Sequence, residues 1–206
     1  MDVLIQNLKI LAPGIVVFDN ILQNPLEIIN DFEKAVSDGI LSFEDGYVAK
    51  NDKSVPDYEF RKVFLFWIKY EKKNDQENNS LEERGAVLID KMRLAFNNSF
   101  KNSIEQYQQL YNWQSQEFYD YQFLRYQEGH FVKTHTDNNH VEIRNISLCY
   151  YFNDDYEGGE LYFPNIDLII KPKKNQLVLF PSNFVYSHEV KPVTSGTRYA
   201  VTQWIR

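Results

Sequence analysis

Arg144-Asn145-Ile146-Ser147-Leu148-Cys149-Tyr150-Tyr151-Phe152-Asn153 is the stretch on which the fold reading turns. Side chains alternate across an extended strand, so residues two apart share a face. One face carries Ile146, Leu148, Tyr150 and Phe152, all apolar. The other carries Asn145, Ser147, Cys149, Tyr151 and Asn153, which are small or polar. Faces this unlike point to a strand packed on a scaffold on one side and lining a polar cavity on the other. The C-terminal segment repeats the pattern. Thr197, Tyr199, Val201 and Ile205 share one side, while Arg198, Ala200, Thr202 and Trp204 share the other. A guanidinium, a hydroxyl and an indole on one barrel face make a ligand pocket.

Outward from these two strands, residues 117–206 are short runs of aromatic and β-branched residues broken by turn residues. Glu128-Gly129, Asp137-Asn138-Asn139, Pro172 to Asn175 and Ser195-Gly196 are among the breaks. About eight strands of this kind predict an antiparallel sandwich or barrel. Residues 1–113 read as mainly helical. Gly14 to Asp19 is a short opening strand, and Asn24 then offers an N-cap with Pro25 at the first helical position. Leu26, Ile29, Phe32 and Val36 recur at helical spacing until Asp38-Gly39. Ser80-Leu81-Glu82-Glu83 forms a capping box for a second helix, whose stripe of Leu81, Leu88, Met92, Ala95, Ile104 and Tyr107 runs towards Leu110. Glu44 to Asp57 and Lys69 to Asn79 are polar connections flanking an aromatic run from Phe60 to Trp67. No linker separates the halves. The expectation is one domain over 1–206, mostly β with flanking helices (α+β), in which 1–113 supports a core at 117–206.

Composition narrows the class. With 43% hydrophobic residues in a 206-residue chain, disorder is excluded. The net charge of −7 argues against a protein that coats nucleic acid, where Lys and Arg must displace phosphate counterions. No apolar run approaches the ~20 residues of a membrane span. Met1 to Ile10 has no basic-then-apolar leader. The single Cys149 sits in an apolar run and reads as a buried thiol. The expectation is a soluble cytoplasmic protein with neither nucleic acid nor membrane as partner.

The chain has four histidines, His130, His135, His140 and His188. His135-Thr136-Asp137 is an H-x-D element whose imidazole and carboxylate converge on one ion if it ends a strand. His188, at the end of another predicted strand, completes two imidazoles and one carboxylate. This is the facial set that holds Fe(II) and leaves positions open for substrate and dioxygen. Arg198 follows, with Thr202 and Trp204 on its face. A buried guanidinium is the natural counter-ion for the far carboxylate of 2-oxoglutarate, and an adjacent strand would place it one five-carbon acid from the metal. His130 and His140 read as solvated turn residues.

Taken in order, these segments resemble the catalytic core of the prolyl 4-hydroxylase branch of Fe(II)/2-oxoglutarate dioxygenases, with the oxygen-sensing prolyl hydroxylases and their microbial relatives nearest. Arg125-Tyr126, His135-Thr136-Asp137, Arg144 to Asn153, Gly158-Gly159-Glu160-Leu161, Leu179-Phe180-Pro181-Ser182, His188-Glu189-Val190 and Thr197 to Trp204 carry the resemblance. It implies a double-stranded β-helix (jelly-roll) core and, as cofactors, Fe(II), 2-oxoglutarate and O2, with ascorbate as an accessory. His135, Asp137 and His188 would bind the metal. Arg198, aided by Tyr151 and Thr202, would bind the cosubstrate, and Tyr126 would sit near its iron-bound end. Arg144 and Trp204 would border the substrate entrance. The resemblance implies a hydroxylase acting on a prolyl residue of a protein or peptide. The alternatives are a hydroxylase of a free amino acid or small peptide-derived metabolite, and a non-catalytic iron/2-oxoglutarate-binding sensor. Asp137 stands where related halogenases carry a small residue, and Trp204 where related nucleic-acid demethylases carry a second Arg.

Overall fold

A computed structural model describes residues 8–50, 53–69, 80–115, 117–139 and 142–206. In the first part of the chain, strands β1 (Leu8–Ala12) and β2 (Ile15–Asp19) precede helix α1 (Pro25–Ser37). Strands β3 (Glu44–Asp45), β4 (Tyr47–Lys50), β5 (Lys53–Pro56), β6 (Arg61–Lys62) and β7 (Phe64–Ile68) lead to helix α2 (Ser80–Leu110). The second part is β8 (Tyr121–Tyr126), β9 (Phe131–His135), β10 (Ile146–Tyr151), β11 (Glu157–Gly158), β12 (Leu161–Phe163), β13 (Leu168–Ile170), β14 (Gln176–Pro181), β15 (His188–Val190), β16 (Val193–Ser195) and β17 (Arg198–Ile205).

Two antiparallel sheets face each other as a jelly-roll. The larger runs β1-β2-β14-β10-β17-β8-β7-β3 and the smaller β13-β12-β15-β9-β6, with β11-β16 and β4-β5 as short ribbons. β10 lies near the centre of the larger sheet, its Cys149 opposite both Val178 of β14 and Thr202 of β17. The parity read from the sequence is borne out on both strands. Ile146, Leu148, Tyr150, Phe152, Val201 and Ile205 belong to an apolar cluster outside the barrel. Cys149, Tyr151 and Ala200 belong to the cluster between the sheets.

The helices cover the outer face. α1 begins at Pro25, whose missing N–H costs nothing in a first turn, and ends before Gly39, which takes the left-handed φ of +72°. Ile29, Phe32 and Ala35 face the sheet, but Leu26 lies outside the stripe at 42% exposure. The side chain of Asn24 makes no capping bond to the backbone. α2 buries Met92, Ile104 and Tyr107 as read, together with Phe96 and Phe100, whose parallel rings are 5.5 Å apart. Phe100 meets Tyr150 at 5.3 Å, and Phe32 stacks on Phe123 at 4.5 Å. Burying each such ring contributes roughly 2–3 kcal/mol. Arg125 of β8 lies over the Phe43 ring and bonds Glu33 of α1 at 3.0 Å, and Glu33 also accepts from the Tyr199 hydroxyl.

Residues 1–113 supply more than helices. β1, β2, β3 and β7 extend the larger sheet and β6 the smaller one, so the barrel takes strands from both parts of the chain. β7, Phe64-Leu65-Phe66-Trp67-Ile68, has no polar alternation to mark it as a strand because both its faces are covered: Leu65 and Trp67 pack between the sheets, Phe66 and Ile68 on the outer cluster. The polar stretch at 70–79, His140 and the side chains of the Ser80-Leu81-Glu82 capping box lie outside the described residues. His130 is not a solvated turn residue. It is 4% exposed and packs 5.0 Å from the Phe64 ring.

Candidate metal and cosubstrate site

His135 closes β9 and His188 opens β15, and the two are directly opposite each other in the ladder of the smaller sheet. Asp137 follows His135 by two residues, just past the strand end. Candidate ligand atoms of the three residues lie within 4.8 Å of one another. His135 Nε2 is 3.5 Å and His188 Nε2 3.6 Å from the Asp137 carboxylate.

The imidazoles are held in one tautomer. His135 Nδ1 lies 2.9 Å from the Lys133 carbonyl oxygen, and His188 Nδ1 lies 3.1 Å from that of Tyr186. A carbonyl only accepts, so each Nδ1 carries the hydrogen and each Nε2 presents its lone pair to the common centre. Phe180 stands edge-on to the His188 ring at 4.8 Å. The Ser147 hydroxyl donates to Asp137 at 2.5 Å and is bonded to the Ser182 hydroxyl. Burial raises the Asp137 carboxyl pKa. The His188 and His135 imidazoles and the Ser147 hydroxyl outweigh it, so the group stays ionised well below the usual carboxylate range. Burial holds His188 down to about 4, which keeps the imidazole neutral at ordinary pH. Two imidazole Nε2 atoms and one carboxylate are the donor set for a divalent transition metal, with one side left open.

Arg198 lies across the cavity, not on an adjacent strand. His188 is in the smaller sheet and Arg198 begins β17 in the larger one, so the barrel's width separates them. Arg198 is 2% exposed, and its guanidinium sits over the rings of Tyr126 and Tyr151 at 4.5 and 4.9 Å. Gly159 makes room for it. Its φ is +66°, and a Cβ there would fall 3.0 Å from Arg198 Cδ. Arg198 Nε and Nη1, the Tyr151 hydroxyl and Thr202 Oγ1 are buried without a hydrogen-bond partner. Burial raises the Tyr151 pKa well above its ordinary value, so the hydroxyl keeps its proton as a donor. A buried charge beside unused donors is costly unless an anion completes it, and a carboxylate has the matching fork geometry. The residues therefore fit 2-oxoglutarate at one end and Fe(II) at the other.

The trio, Arg198, Tyr151, Thr202, Tyr126, Arg144 and Trp204 all line one cavity of about 810 Å³. Tyr126, expected near the metal-bound end of the cosubstrate, packs its ring on the Arg198 guanidinium. Arg144 stacks on Trp204 at 3.8 Å and pairs with Glu142. Cys149 also faces the cavity, and burial pushes its thiol up to about 12. Ser147 and Ser182 stand behind Asp137 without a local signal for that role, although the polar parity of β10 contains the first. The wall built by Tyr47, Arg61, Trp67 and Gln122 has no such signal either.

Residues 121–206 match the model of the 2OG-Fe(II) oxygenase superfamily, a family that uses Fe(II), 2-oxoglutarate and O2. Human prolyl 3-hydroxylase 2 is 42% identical over 66 residues, which is 30% of this chain and 9% of that protein. A PKHD-type hydroxylase of Parvibaculum lavamentivorans is 35% identical over 88 residues, 40% of this chain and 39% of that protein. The matched stretches thus span well under half of these relatives. The Trichoplax adhaerens prolyl hydroxylase, solved with a hypoxia inducible factor peptide fragment, superposes with a TM-score of 0.62 at 24% identity, covering 93% of this chain and 83% of that one. A Pseudomonas putida prolyl-4-hydroxylase gives 0.56 at 20% identity, covering 94% and 92%. Among the described residues no helix is long and apolar enough to cross a membrane.

Proposed function

We propose that the protein is an Fe(II)- and 2-oxoglutarate-dependent hydroxylase of the prolyl 4-hydroxylase type, acting on a prolyl residue of a protein or peptide. The observation that carries this reading is the partnerless cluster of Arg198, Tyr151 and Thr202 in the same cavity as the His135–Asp137–His188 trio. The names of the relatives, prolyl hydroxylases among them, support the substrate class.

In this reading His135, Asp137 and His188 hold the metal, and the backbone carbonyls of Lys133 and Tyr186 keep both imidazoles aimed. Arg198 takes the distal carboxylate of 2-oxoglutarate as a charge-assisted pair, and Tyr151 and Thr202 add neutral donors. When bound, iron supplies the oxygen chemistry that converts 2-oxoglutarate to succinate and carbon dioxide and places a hydroxyl on a C–H bond. The barrel keeps bulk water from that chemistry, and Arg144 on Trp204 flanks the path by which substrate approaches.

Succinate formation from 2-oxoglutarate, followed with proline-containing peptides and with alanine replacements, tests the proposal. Proline peptides are expected to stimulate turnover, the alanine peptides not, and Asp137→Ala to abolish it. Turnover in Asp137→Ala equal to that of the native chain would sink the metal assignment, and equal stimulation by alanine peptides the prolyl one.

A further inference from the structure

Three guanidinium groups, those of Arg61, Arg144 and Arg198, line the cavity. In the proposed function Arg198 is matched to the cosubstrate. Arg144 is neutralised by Glu142 and stacked on Trp204. Arg61 has no such assignment. Its Nη2 donates to the neutral Gln122 amide oxygen at 3.4 Å, its Nε is buried without a partner, and among the described residues no carboxylate pairs with it.

Its position is set by the fold. On β6, Arg61 stands opposite Val132, three positions before His135 on β9 and so about 10 Å along the strand from that ligand. From the smaller sheet its side chain reaches Gln122 of β8 in the larger one, and Gln122 in turn stands opposite Trp67 of β7 and Thr202 of β17. Trp67 Nε1 donates to the Tyr47 hydroxyl at 2.8 Å, which fixes two aromatic side chains that line the same cavity. Gly46 lets its backbone pack against the Nε side. A Cβ there would fall 3.1 Å from Arg61 Nε and 2.6 Å from Val63 Cγ1. A half-buried guanidinium that lines the cavity with aromatic side chains and has no carboxylate partner among the described residues suits a carboxylate attached to a compact carbon skeleton.

We infer that Arg61, held by Gln122, is a specificity residue that binds a carboxylate of the substrate, so that the preferred substrate is an acid and not its neutral amide. The inference rests on the proposed hydroxylase reading. The carboxylate comes either from a free amino acid or from an acidic side chain near the target residue of a peptide.

The test uses the full chain loaded with Fe(II) and 2-oxoglutarate, and substrate-dependent succinate formation as the readout. One arm compares L-proline with L-prolinamide; the other compares blocked proline peptides carrying Glu or Gln beside the proline. In at least one arm the acid is expected to exceed the amide by about tenfold or more in kcat/KM, as for loss of a charge-assisted hydrogen bond. The arm that responds names the source. Arg61→Gln should collapse the ratio towards one, and Arg61→Lys should restore part of it, which separates charge recognition from misfolding. Equal rates for acid and amide in both arms, including no response to either, overturn the inference, as does a ratio unchanged in Arg61→Gln. Anaerobic titration with 2-oxoglutarate is run on each protein. Weaker cosubstrate binding in Arg61→Gln would hand the guanidinium to the cosubstrate and also overturn it, whereas absent binding in the native chain would fail the hydroxylase reading itself.

Discussion

The two faces of the larger sheet are built from the same strands and do opposite things. On the outer face, Leu148, Tyr150, Val201 and Phe123 meet the rings of α1 and α2, and the contacts are mainly apolar, with the Tyr150 hydroxyl donating to Asn175. On the inner face, one residue away along each strand, Tyr151, Arg198 and Thr202 keep buried donors with no partner. Interiors are close-packed and satisfied unless something external completes them. The outer face therefore holds the fold, and the inner face presents unpaired donors to the cavity that the His135–Asp137–His188 trio also lines.

Substitutions on each face sharpen this contrast, and the largest effect belongs to the outer one. Phe100→Ala removes a fully buried ring between Phe96 and Tyr150 and is expected to cost about 3–5 kcal/mol in urea unfolding. The surviving folded fraction should still bind 2-oxoglutarate normally. On the inner face, Ser147→Ala removes the hydroxyl that orients Asp137. It should weaken Fe(II) binding by roughly 10–100-fold, read by competition with a chelator, with little change in thermal stability.

The smallest effect concerns His130 at the barrel's end. Burial first, and then the charge of Lys62, lowers its pKa below the ordinary histidine value. The unfolded chain therefore takes up the proton before the folded one does, and stability falls as pH drops below about 6.5. His130→Gln should flatten the dependence of the urea midpoint between neutral pH and the acid limit of folding. An unaltered slope would place the titration elsewhere.

What could be read from the sequence follows the range of the forces involved. The parities of β10 and β17 and the bounds of α2 were legible because alternation and capping are local signals. The H-x-D element and the later His–Arg pair were legible because the chemistry demands those residue types. β7 was not, since a strand packed on both faces shows a plain apolar run, Phe64 to Ile68, that could equally be core helix. Nor was the Arg61 wall, because a two-residue strand has no period and its place beside β9 is a long-range pairing. Phe96 and Phe100 extend the α2 stripe at positions the reading passed over, and His130, flanked by Glu128-Gly129, carries every local mark of a solvated turn while the fold buries it against Phe64.

The pairing of an inner-face cation with a cosubstrate is tested most directly by anaerobic titration of Fe(II)-loaded protein with 2-oxoglutarate. The visible charge-transfer band that a 2-oxo acid gives on chelating ferrous iron is followed in the native chain and in Arg198→Gln. A saturable band in the native chain, shifted to at least a hundredfold higher 2-oxoglutarate in Arg198→Gln, is the expected result. No band in the native chain, or the same midpoint in both proteins, would contradict it.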